Sequence, residues 1–354
     1  MKLLRCVLLF MVPVIVNSQE IVKINNFIFD NPPFEECHAS TIVETPNGLV
    51  ASWFGGTKEK NPDVEIWVSR EINGIWTRPI SVANGIQHKN KRYPTWNPVL
   101  FQIPGGPLKL YFKEGPNAKS WWGMEIESYN HGKTWSQKKR LPEDVYGPVK
   151  NKPIQLDDGT IISPSSTEFN GWRTHMEISK DLGRSWEIVG PINHGEKYNI
   201  IQPSVLKYKT GELQILCRSK EGFIMSCWSN DNGYSWGEVT SIGLPNPNSG
   251  TDAVSMQNGL QLLVYNHTGK IEGKWGGKRS PLNVAVSSDG KIWRSLLVLE
   301  DKPGEYSYPA VIQDKKGNIH ITYTWKRKRI KHVVIDLDEI ELKELKIISD
   351  GVWE

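Results

Sequence analysis

The sequence predicts an all-β protein folded as a six-bladed β-propeller, and a repeated turn is the first observation behind that prediction. A polar turn that ends in tryptophan occurs at residues 128–135 (SYNHGKTW), 179–186 (SKDLGRSW), 229–236 (SNDNGYSW) and, one residue shorter, 287–293 (SSDGKIW). The closing tryptophans are 51, 50 and 57 residues apart, and a degraded copy lies at 69–76 (SREINGIW). Periods near fifty residues with strand-like content are typical of propellers and related arrays.

The second observation is the character of the chain between these turns. Short alternating runs broken by Gly, Pro and Asn predict strands, among them LVASWFGG, LKLYFKEG, GELQILCRS, LQLLVYNHT and IHITYTWKR. The cationic stretch 326–332 (KRKRIKH) continues such a run, which predicts a solvated strand face. Helical periodicity is absent until 336–348 (DLDEIELKELKII), which fits a helix or a last pair of strands equally. Repeats of about 55 residues then divide the mature chain into six blades.

The repeated turn itself is predicted to be structural. An Asp or Asn side chain can bond the backbone two residues on, the Gly supplies a positive φ, and the Trp packs beneath the hairpin. Each copy should therefore fix a hairpin at the rim of one blade. We expect the chemistry on other loops, around the central channel.

The first eighteen residues predict a signal peptide. Lys2 and Arg5 precede an apolar run that ends in Val16-Asn17-Ser18, which suits cleavage after Ser18. The run is too short to span a bilayer, and no later stretch is apolar enough to do so. We therefore expect residues 19–354 to form one exported domain, in the periplasm, at a surface or outside the cell.

Charge and cysteine content narrow the function classes. The net charge of +4 is spread over both signs, so a nucleic-acid partner is not expected. Cys217 and Cys227 are symmetric about Gly222 and could form a bridge across a hairpin, or could be two buried thiols; Cys37 is left over. Their spacing does not fit zinc, and neither a metal nor a cofactor is expected.

Fifteen tryptophans are the most informative feature of the composition. Several lie in Gly/Pro/Asn-rich segments outside the repeated turns: Trp96, Trp121, Trp122, Trp172 and Trp275. Exposed aromatic rings beside polar groups are typical of sugar-stacking sites, although packing in a β-core is an alternative.

The repeated pattern S-x-D-x-G-x-T/S-W resembles the Asp-box, or BNR repeat, of the sialidase superfamily, and the resemblance covers the whole mature chain. It implies a six-bladed propeller of sialidase type and an enzyme that binds the carboxylate of its sugar through arginines. Arg279, eight residues before Ser287, matches the family's third arginine, and Arg218 matches the second. The resemblance implies that Tyr308 is the nucleophile, with Tyr306 as its rival.

The chain departs from the family pattern at two positions. His38 occupies the place of the first arginine, and Gln202 is the nearest candidate for the glutamate that assists the tyrosine. A neutral amide cannot take the tyrosine proton, so nucleophile activation must differ. His38 could act as an acid or base at neutral pH, or be a structural histidine. Asp63, with Glu65 as competitor, lies in the region of the family's acid/base aspartate.

Other polar segments add substrate-binding candidates. Arg173 is predicted to join Arg218 and Arg279 in an anion site, and Asn97, Lys152 and Asp252 are further substrate-binding candidates. Three cations converging on one cavity would suit a uronate, an ulosonate or a sialate.

The leading hypothesis is an exported exo-glycoside hydrolase that removes a terminal acidic sugar from a glycan or polysaccharide. One alternative is a lyase or atypical glycosidase on uronic-acid polymers that uses His38, Tyr308 and Arg279. Another is a sugar-binding propeller without catalysis. The sequence leaves the sugar, the linkage and the oligomeric state open.

Overall fold

The protein is described by a computed structural model that covers residues 21–337, 340–349 and 351–353. Strand β1 spans Val22–Phe27. Blade 1 contains β2 (Glu36–Thr45), β3 (Gly48–Gly56), β4 (Glu65–Ile72), β5 (Ile75–Trp76) and β6 (Ile80–Asn84). A two-stranded ribbon follows, made of β7 (Ile86–His88) and β8 (Lys91–Arg92). The proposed signal peptide lies outside the described residues.

The next blades have four strands each. Blade 2 contains β9 (Thr95–Gln102), β10 (Leu108–Glu114), β11 (Trp122–Ser128) and β12 (Lys139–Arg140). Blade 3 contains β13 (Ile154–Gln155), β14 (Ile161–Thr167), β15 (Arg173–Ser179) and β16 (Glu187–Val189). Blade 4 contains β17 (Ile200–Lys207), β18 (Leu213–Ser219), β19 (Phe223–Ser229) and β20 (Thr240–Pro245). Blade 5 contains β21 (Asp252–Ser255), β22 (Gln261–Tyr265), β23 (Leu282–Ser287) and β24 (Arg294–Glu300).

Blade 6 closes the ring with strands from both parts of the chain. It contains β25 (Tyr306–Gln313), β26 (Ile319–Trp325) and β27 (Arg329–Ile335), and β1 pairs antiparallel with β27 as its fourth strand. Closure in this way leaves only short, protected sheet edges. The prediction of an all-β, six-bladed propeller is confirmed, and the five strand runs taken from the sequence are β3, β10, β18, β22 and β26.

Apolar side chains fill the spaces between neighbouring blades. One cluster joins blades 5 and 6 through residues such as Val284 and Ile321, and another joins blades 1 and 2 through residues such as Val68 and Leu110. All four of these side chains are at most 1% exposed. Burying each aliphatic side chain contributes about 1.5–3 kcal/mol, so the packed blades form a rigid frame for the loops above them.

The repeated turns join the third and fourth strands of blades 2 to 5. In the copy that follows β19, the Ser229 hydroxyl donates to Asp231 (2.8 Å), and the Asp231 carboxylate accepts the Ser235 amide (2.8 Å). The Gly233 amide donates to the Ser229 hydroxyl (3.0 Å) at φ +87°, and the Trp236 indole donates to the Gly233 carbonyl (2.9 Å). The expected scaffolding role fits this network.

The two faces of the ring carry different loops. Within a blade consecutive strands are antiparallel, so the loops between the second and third strands open on one face, here called the upper face. The repeated turns open on the opposite face. The first strand of each blade begins at the upper face, because the connections between blades also lie there. The candidate site residues lie on this upper side.

Two local expectations need correction, and the alternative left open for Cys217 and Cys227 is decided in favour of buried thiols. Residues 326–328 form the turn between β26 and β27 rather than a strand face, and the strand begins only at Arg329. In the C-terminal stretch, the described residues contain one 3₁₀ helix, Leu342–Glu344, instead of a long helix or strand pair. The described cysteines are free, because β18 and β19 pair Cys217 with Met225 and Cys227 with Ile215. No helix among the described residues is long and apolar enough to cross a membrane.

Candidate functional site

A ring of strained backbone positions surrounds the propeller axis. Five blades carry a non-glycine residue with positive φ near the start of the first strand: Ala39 (56°), Asn97 (41°), Lys150 (73°), Gln202 (56°) and Tyr308 (52°). Register shifts accompany these positions in β2, β9, β17 and β25. Each such conformation costs about 1–3 kcal/mol and persists where the surroundings enforce it, often at functional sites. This ring therefore marks the upper end of the central channel as the candidate site.

Blade 5 has a glycine at the equivalent position. Gly250 stands nine residues before Gly259, as Tyr308 stands nine before Gly317. A Cβ atom on Gly250 would lie 3.3 Å from the Tyr308 ring and 3.4 Å from the Gln202 side-chain oxygen. The missing side chain leaves room for both groups.

Tyr308 is the centre of the site. Arg218 donates from Nη1 to the Tyr308 hydroxyl oxygen at 2.7 Å, and Gln202 Nε2 lies 3.4 Å from the same oxygen. The His38 ring lies against the Tyr308 ring, with 4.2 Å between centroids. The structure thus brings together four predicted residues from blades 1, 4 and 6. Tyr306, the rival of Tyr308, is 2% exposed and packs in the core between blades 5 and 6.

The two predicted anchor arginines belong to this centre. Arg218 is 6% exposed, and its Nε donates to Asn248 Oδ1 at 2.8 Å. Arg279 comes from the β22–β23 loop and interacts electrostatically with Arg218 and Tyr308. Among the described residues, the buried Nη1 of Arg279 has no hydrogen-bond partner. That nitrogen is free to bind an anion.

Arg327 is a third cation at this centre, and the sequence interpretation missed it. It lies in the β26–β27 turn, and its carbonyl accepts the Cys37 amide at 2.8 Å, which brings it next to His38. Its side chain bonds Glu305 (3.0 Å) and Glu59. Of the charged groups that act on His38, Arg327 has the strongest effect, followed by Arg279 and Arg218.

His38 is held in its neutral form. Complete burial, followed by the charges of Arg327, Arg279, Arg218 and Lys150, lowers the pKa of His38 well below its usual value of 6.5. The His38 Nδ1 lies 3.0 Å from the Thr324 hydroxyl. This environment does not tune the imidazole to titrate near neutral pH, so it favours a role for His38 in holding the Tyr308 ring.

Lys150 is a buried ammonium beneath the same centre. Its Nζ donates to the Thr251 carbonyl at 2.6 Å and to the Pro309 carbonyl, so it joins blade 3 to blades 5 and 6. Burial lowers its pKa to about 7, and Asp252 opposes that shift. The bond to Pro309 fixes the backbone directly after Tyr308.

Lys152 and Asp252 bind each other. Lys152 Nζ lies 2.9 Å from Asp252 Oδ2, and the carboxylate also accepts the Ser204 hydroxyl (3.1 Å) and the Val311 amide (2.9 Å). Asp252 is 1% exposed, and these contacts connect blades 3, 4, 5 and 6. Both charges are therefore already neutralised inside the protein, an arrangement that favours a structural role over the predicted contact with substrate.

Asp63 lies on the upper face but outside the central cluster. Its carboxylate accepts the Thr57 amide at 2.7 Å, and it lines a cavity of about 620 Å³ that also contains Glu65 and Arg92. None of the ring residues lines that cavity. Although partial burial raises the pKa of Asp63, the bonds from Thr57 outweigh it and hold the pKa below its usual value.

The remaining predicted residues occupy the upper side in different ways. Asn97 is a member of the strained ring and is 6% exposed. Arg173 begins β15, and its Nε is buried without a hydrogen-bond partner in the described part of the chain. Among the described residues, no group of three or more His, Cys, Asp or Glu side chains is arranged to hold a metal ion.

Glu168 is a further carboxyl group near this site. It follows β14 and lies close enough to Trp172, Arg218 and Lys220 for these groups to act on its carboxyl. Burial raises its pKa above the usual value, and the two cations oppose that shift. No motif in the sequence identifies a role for Glu168.

Comparison with known proteins agrees with this architecture. The profile of a family described as the BNR repeat-like domain matches residues 47–321. A sialidase of Clostridium perfringens is 31% identical over 87 residues, a segment that spans 25% of this chain and 22% of that sialidase.

Several solved structures share the fold. A protein of unknown function from Dyadobacter fermentans has a TM-score of 0.70 at 17% identity, over 88% of this chain and 97% of that one. The NanB sialidase of Streptococcus pneumoniae, as a K499G mutant, has a TM-score of 0.71 at 12% identity, over 91% and 71%. The intramolecular trans-sialidase of Ruminococcus gnavus has a TM-score of 0.69 at 11% identity, over 90% and 98%. At these identities the likeness establishes the fold.

Proposed function

The chain belongs to the BNR repeat-like domain family, and on this premise we propose that it is an exo-glycoside hydrolase that removes a terminal acidic sugar from a glycan. The observation that carries the proposal is the convergence of Arg218, Arg279 and Tyr308 from three blades on one point. Guanidinium groups around a hydroxyl oxygen suit a sugar that carries a carboxylate next to its reacting carbon.

The substrate carboxylate is bound by the arginines. Arg279 offers a buried Nη1 with no partner among the described residues, and a buried unpaired donor gains strongly from an anion. His38 occupies the place of the first arginine in the family pattern. Arg327 supplies a guanidinium in its stead, since it reaches the same region from the neighbouring blade. Its ion pairs with Glu59 and Glu305 orient the guanidinium.

Tyr308 attacks or stabilises the anomeric carbon. Gln202 is a neutral amide and cannot accept the phenol proton, so the charged group at the attacking oxygen is the Arg218 guanidinium, which donates a hydrogen bond to it. As the bond from this oxygen to the anomeric carbon forms, the phenol proton passes to water, the glycosidic bond breaks, and the departing oxygen takes a proton from an acid. Water then attacks the anomeric carbon and gives a proton back to that acid, while the bond to Tyr308 breaks and its phenoxide takes a proton from solvent.

Glu168 suits the acid role better than Asp63. An acid that works near neutral pH needs a raised pKa, and burial raises that of Glu168. The pKa of Asp63 is held low, and its carboxylate is bound to Thr57. His38 is neutral and packs on Tyr308. It therefore orients the nucleophile.

A uronate lyase is the second candidate, and the contact between His38 and Tyr308 favours it. A lyase must neutralise a carboxylate and move the neighbouring proton, which an arginine cluster beside a neutral imidazole and a phenol can do. Such a reaction gives an unsaturated sugar that absorbs ultraviolet light, whereas hydrolysis gives a saturated one. Export of the chain, based on residues 1–18, is part of the proposal.

One assay tests both candidates. Purified protein is incubated with sialyl, ulosonyl and uronyl glycosides, and released sugar and ultraviolet absorbance are followed. We expect release of a saturated acidic sugar, lost by at least about 10³-fold in Tyr308→Phe and retained in the matched control Tyr306→Phe. A product that absorbs ultraviolet light would refute the hydrolase and support the lyase. No turnover on any acidic substrate, or full activity in Tyr308→Phe, would refute both.

A further inference from the structure

Three loops of the upper face form an aromatic surface beside the anion pocket. Trp275 of the β22–β23 loop supplies the exposed ring, and the buried Trp172 of the β14–β15 loop (2% exposed) packs against it edge to face, with 5.4 Å between ring centroids and an interplanar angle of 84°. Lys220, in the β18–β19 turn, holds its Nζ 4.7 Å from the Trp172 ring and 5.4 Å from the Trp275 ring. We call these three residues the tryptophan platform.

Trp275 is exposed yet anchored. It is 61% exposed, an unusual state for an indole, but its carbonyl accepts a bond from Asn248 Nδ2 at 2.8 Å. The other end of the same Asn248 amide accepts Arg218 Nε. A large apolar side chain that is held in solvent by the binding pocket itself is typical of a ligand-stacking surface.

The platform adjoins the reacting group. The Arg218 guanidinium lies 5.1 Å from the Trp172 ring on one side and 5.9 Å from the Tyr308 ring on the other. Glu168 lies close to the same junction, since Trp172, Arg218 and Lys220 all act on its carboxyl. A sugar stacked on the platform would therefore be the neighbour of a sugar bound at Tyr308, with the proposed acid beside the bond that joins them.

The polar groups of the platform are mainly cations. Lys220 donates one bond to Asn199 Oδ1 (3.3 Å), which leaves further protons on its ammonium for a ligand. Lys270 of the β22–β23 loop donates to the Lys220 carbonyl (3.3 Å), and Lys274 and Lys278 lie in the same loop with one acid, Glu272. The other acids that face the platform are Glu168 and Glu221, and the Glu221 carboxylate accepts the Asn199 amide at 2.9 Å.

We propose that Trp275 and Lys220, supported by the buried ring of Trp172, form a second sugar-binding subsite that takes the leaving-group sugar and prefers one with an anionic group. The ring stacks on the exposed indole of Trp275, and the anion meets the Lys220 ammonium. The substrate is then acidic on both sides of the cleaved bond, as in a polyanionic glycan. This inference rests on the proposed function for the position of the first sugar.

Binding of defined sugars to the Tyr308→Phe protein tests the subsite without turnover. The probes for calorimetry are sialic acid and galacturonic acid (one ring), 3′-sialyllactose (a neutral second sugar), and α2,8-linked disialic acid and digalacturonic acid (an acidic second sugar). We expect an acidic disaccharide to bind at least about 10-fold more tightly than its monosaccharide. Trp275→Ala should remove that gain and leave monosaccharide binding unchanged.

Two further variants separate stacking from charge. Lys220→Met should abolish the preference for an acidic over a neutral second sugar while keeping the gain from stacking. Tyr129→Ala removes an exposed ring (78% exposed) on the opposite face and should change nothing. Thermal melting of each variant confirms that it is folded.

The outcomes distinguish the subsite from the proposed function. If a monosaccharide binds as tightly as the disaccharide, the subsite is overturned and the proposed function is unaffected. The same holds if the disaccharide still binds more tightly in Trp275→Ala. If the protein binds a disaccharide but no monosaccharide, and Trp275→Ala abolishes that binding, the subsite is supported and the proposed function is overturned. A preference for acidic second sugars that survives Lys220→Met overturns the charge assignment. Absence of all binding overturns both.

Discussion

The ion pair between Lys152 and Asp252 allows a test between two roles, because the sequence predicts contact with substrate whereas the structure shows the two side chains bound to each other. The Asp252 carboxylate lies 2.9 Å from Lys152 Nζ and is 1% exposed, and it also accepts bonds from Ser204 and Val311. Asp252→Asn keeps the size of the side chain but leaves the ammonium of Lys152, whose side chain is 19% exposed, without its counter-ion. We therefore expect a loss of stability.

The size of that loss follows from burial. Breaking a buried ion pair by removing one partner destabilises by about 3–5 kcal/mol. The unfolding entropy of a chain of this length is about 0.7 kcal/mol/K, so the melting temperature should fall by about 4–7 °C. The matched control is Asp157→Asn, which breaks a second Lys–Asp ion pair. Asp157 of blade 3 lies 2.6 Å from Lys207 of blade 4, but the Asp157 side chain is 94% exposed. Exposed pairs contribute little, and we expect no measurable change.

Differential scanning calorimetry of both variants, with KM on the best acidic substrate, decides the question. The reasoning is refuted if Asp252→Asn melts within about 1 °C of the wild type while its KM rises strongly. That result would support the predicted role of Lys152 and Asp252 in binding substrate.

Three further predictions concern stability and reactivity. Burial lowers the pKa of His332 from 6.5 to about 3, so below pH 6.5 the unfolded chain takes up a proton that the folded one refuses. The free energy of unfolding should be level above about pH 7 and fall as the pH drops towards 3, by up to about 1.4 kcal/mol per pH unit. His332→Gln should make this pH dependence shallower, whereas the control His88→Gln, at an exposed histidine, should leave it unchanged. Burial raises the pKa of Cys217 and Cys227, the latter to about 11, so Ellman's reagent should label neither until denaturant is added, and rapid labelling of the native protein would contradict their burial. Gly290→Ala should destabilise by more than about 2 kcal/mol in denaturant titration, since φ is +69° and the new Cβ would lie 2.0 Å from a buried tyrosine hydroxyl; an unchanged midpoint would refute this.

The fold could be predicted from the sequence because its signal is local. In each repeated turn the serine, the acidic or amide side chain and the glycine bond each other within four residues, as Ser229, Asp231 and Gly233 do. Because the bonded residues are so close along the chain, the pattern is visible in the amino-acid sequence. The spacing of the copies then counts the blades.

The candidate site could be predicted only where family spacing applied. Arg218 and Tyr308 meet as expected, at 2.7 Å, but Arg327 was read as part of a strand, because its place beside His38 depends on how blade 6 packs on blade 1. The pairing of Trp172 with Trp275 likewise joins loops of blades 3 and 5.

One missed signal was present in the chain. Asn97, Gln202 and Tyr308 each precede a proline, and they are 105 and 106 residues apart, two blade repeats each time. A polar residue before proline at the start of every second first strand is the sequence trace of the strained ring. Lys150 and Gly250 occupy the same position in the blades between them, without a proline directly after.

A structure of the Tyr308→Phe protein with a bound acidic monosaccharide tests the central claim most directly. We predict that the sugar carboxylate lies within hydrogen-bond distance of Arg279 Nη1 and of the Arg218 guanidinium, with the anomeric carbon facing position 308. A sugar bound elsewhere, with Arg279 and Arg218 unmoved and without contact to it, would contradict the account.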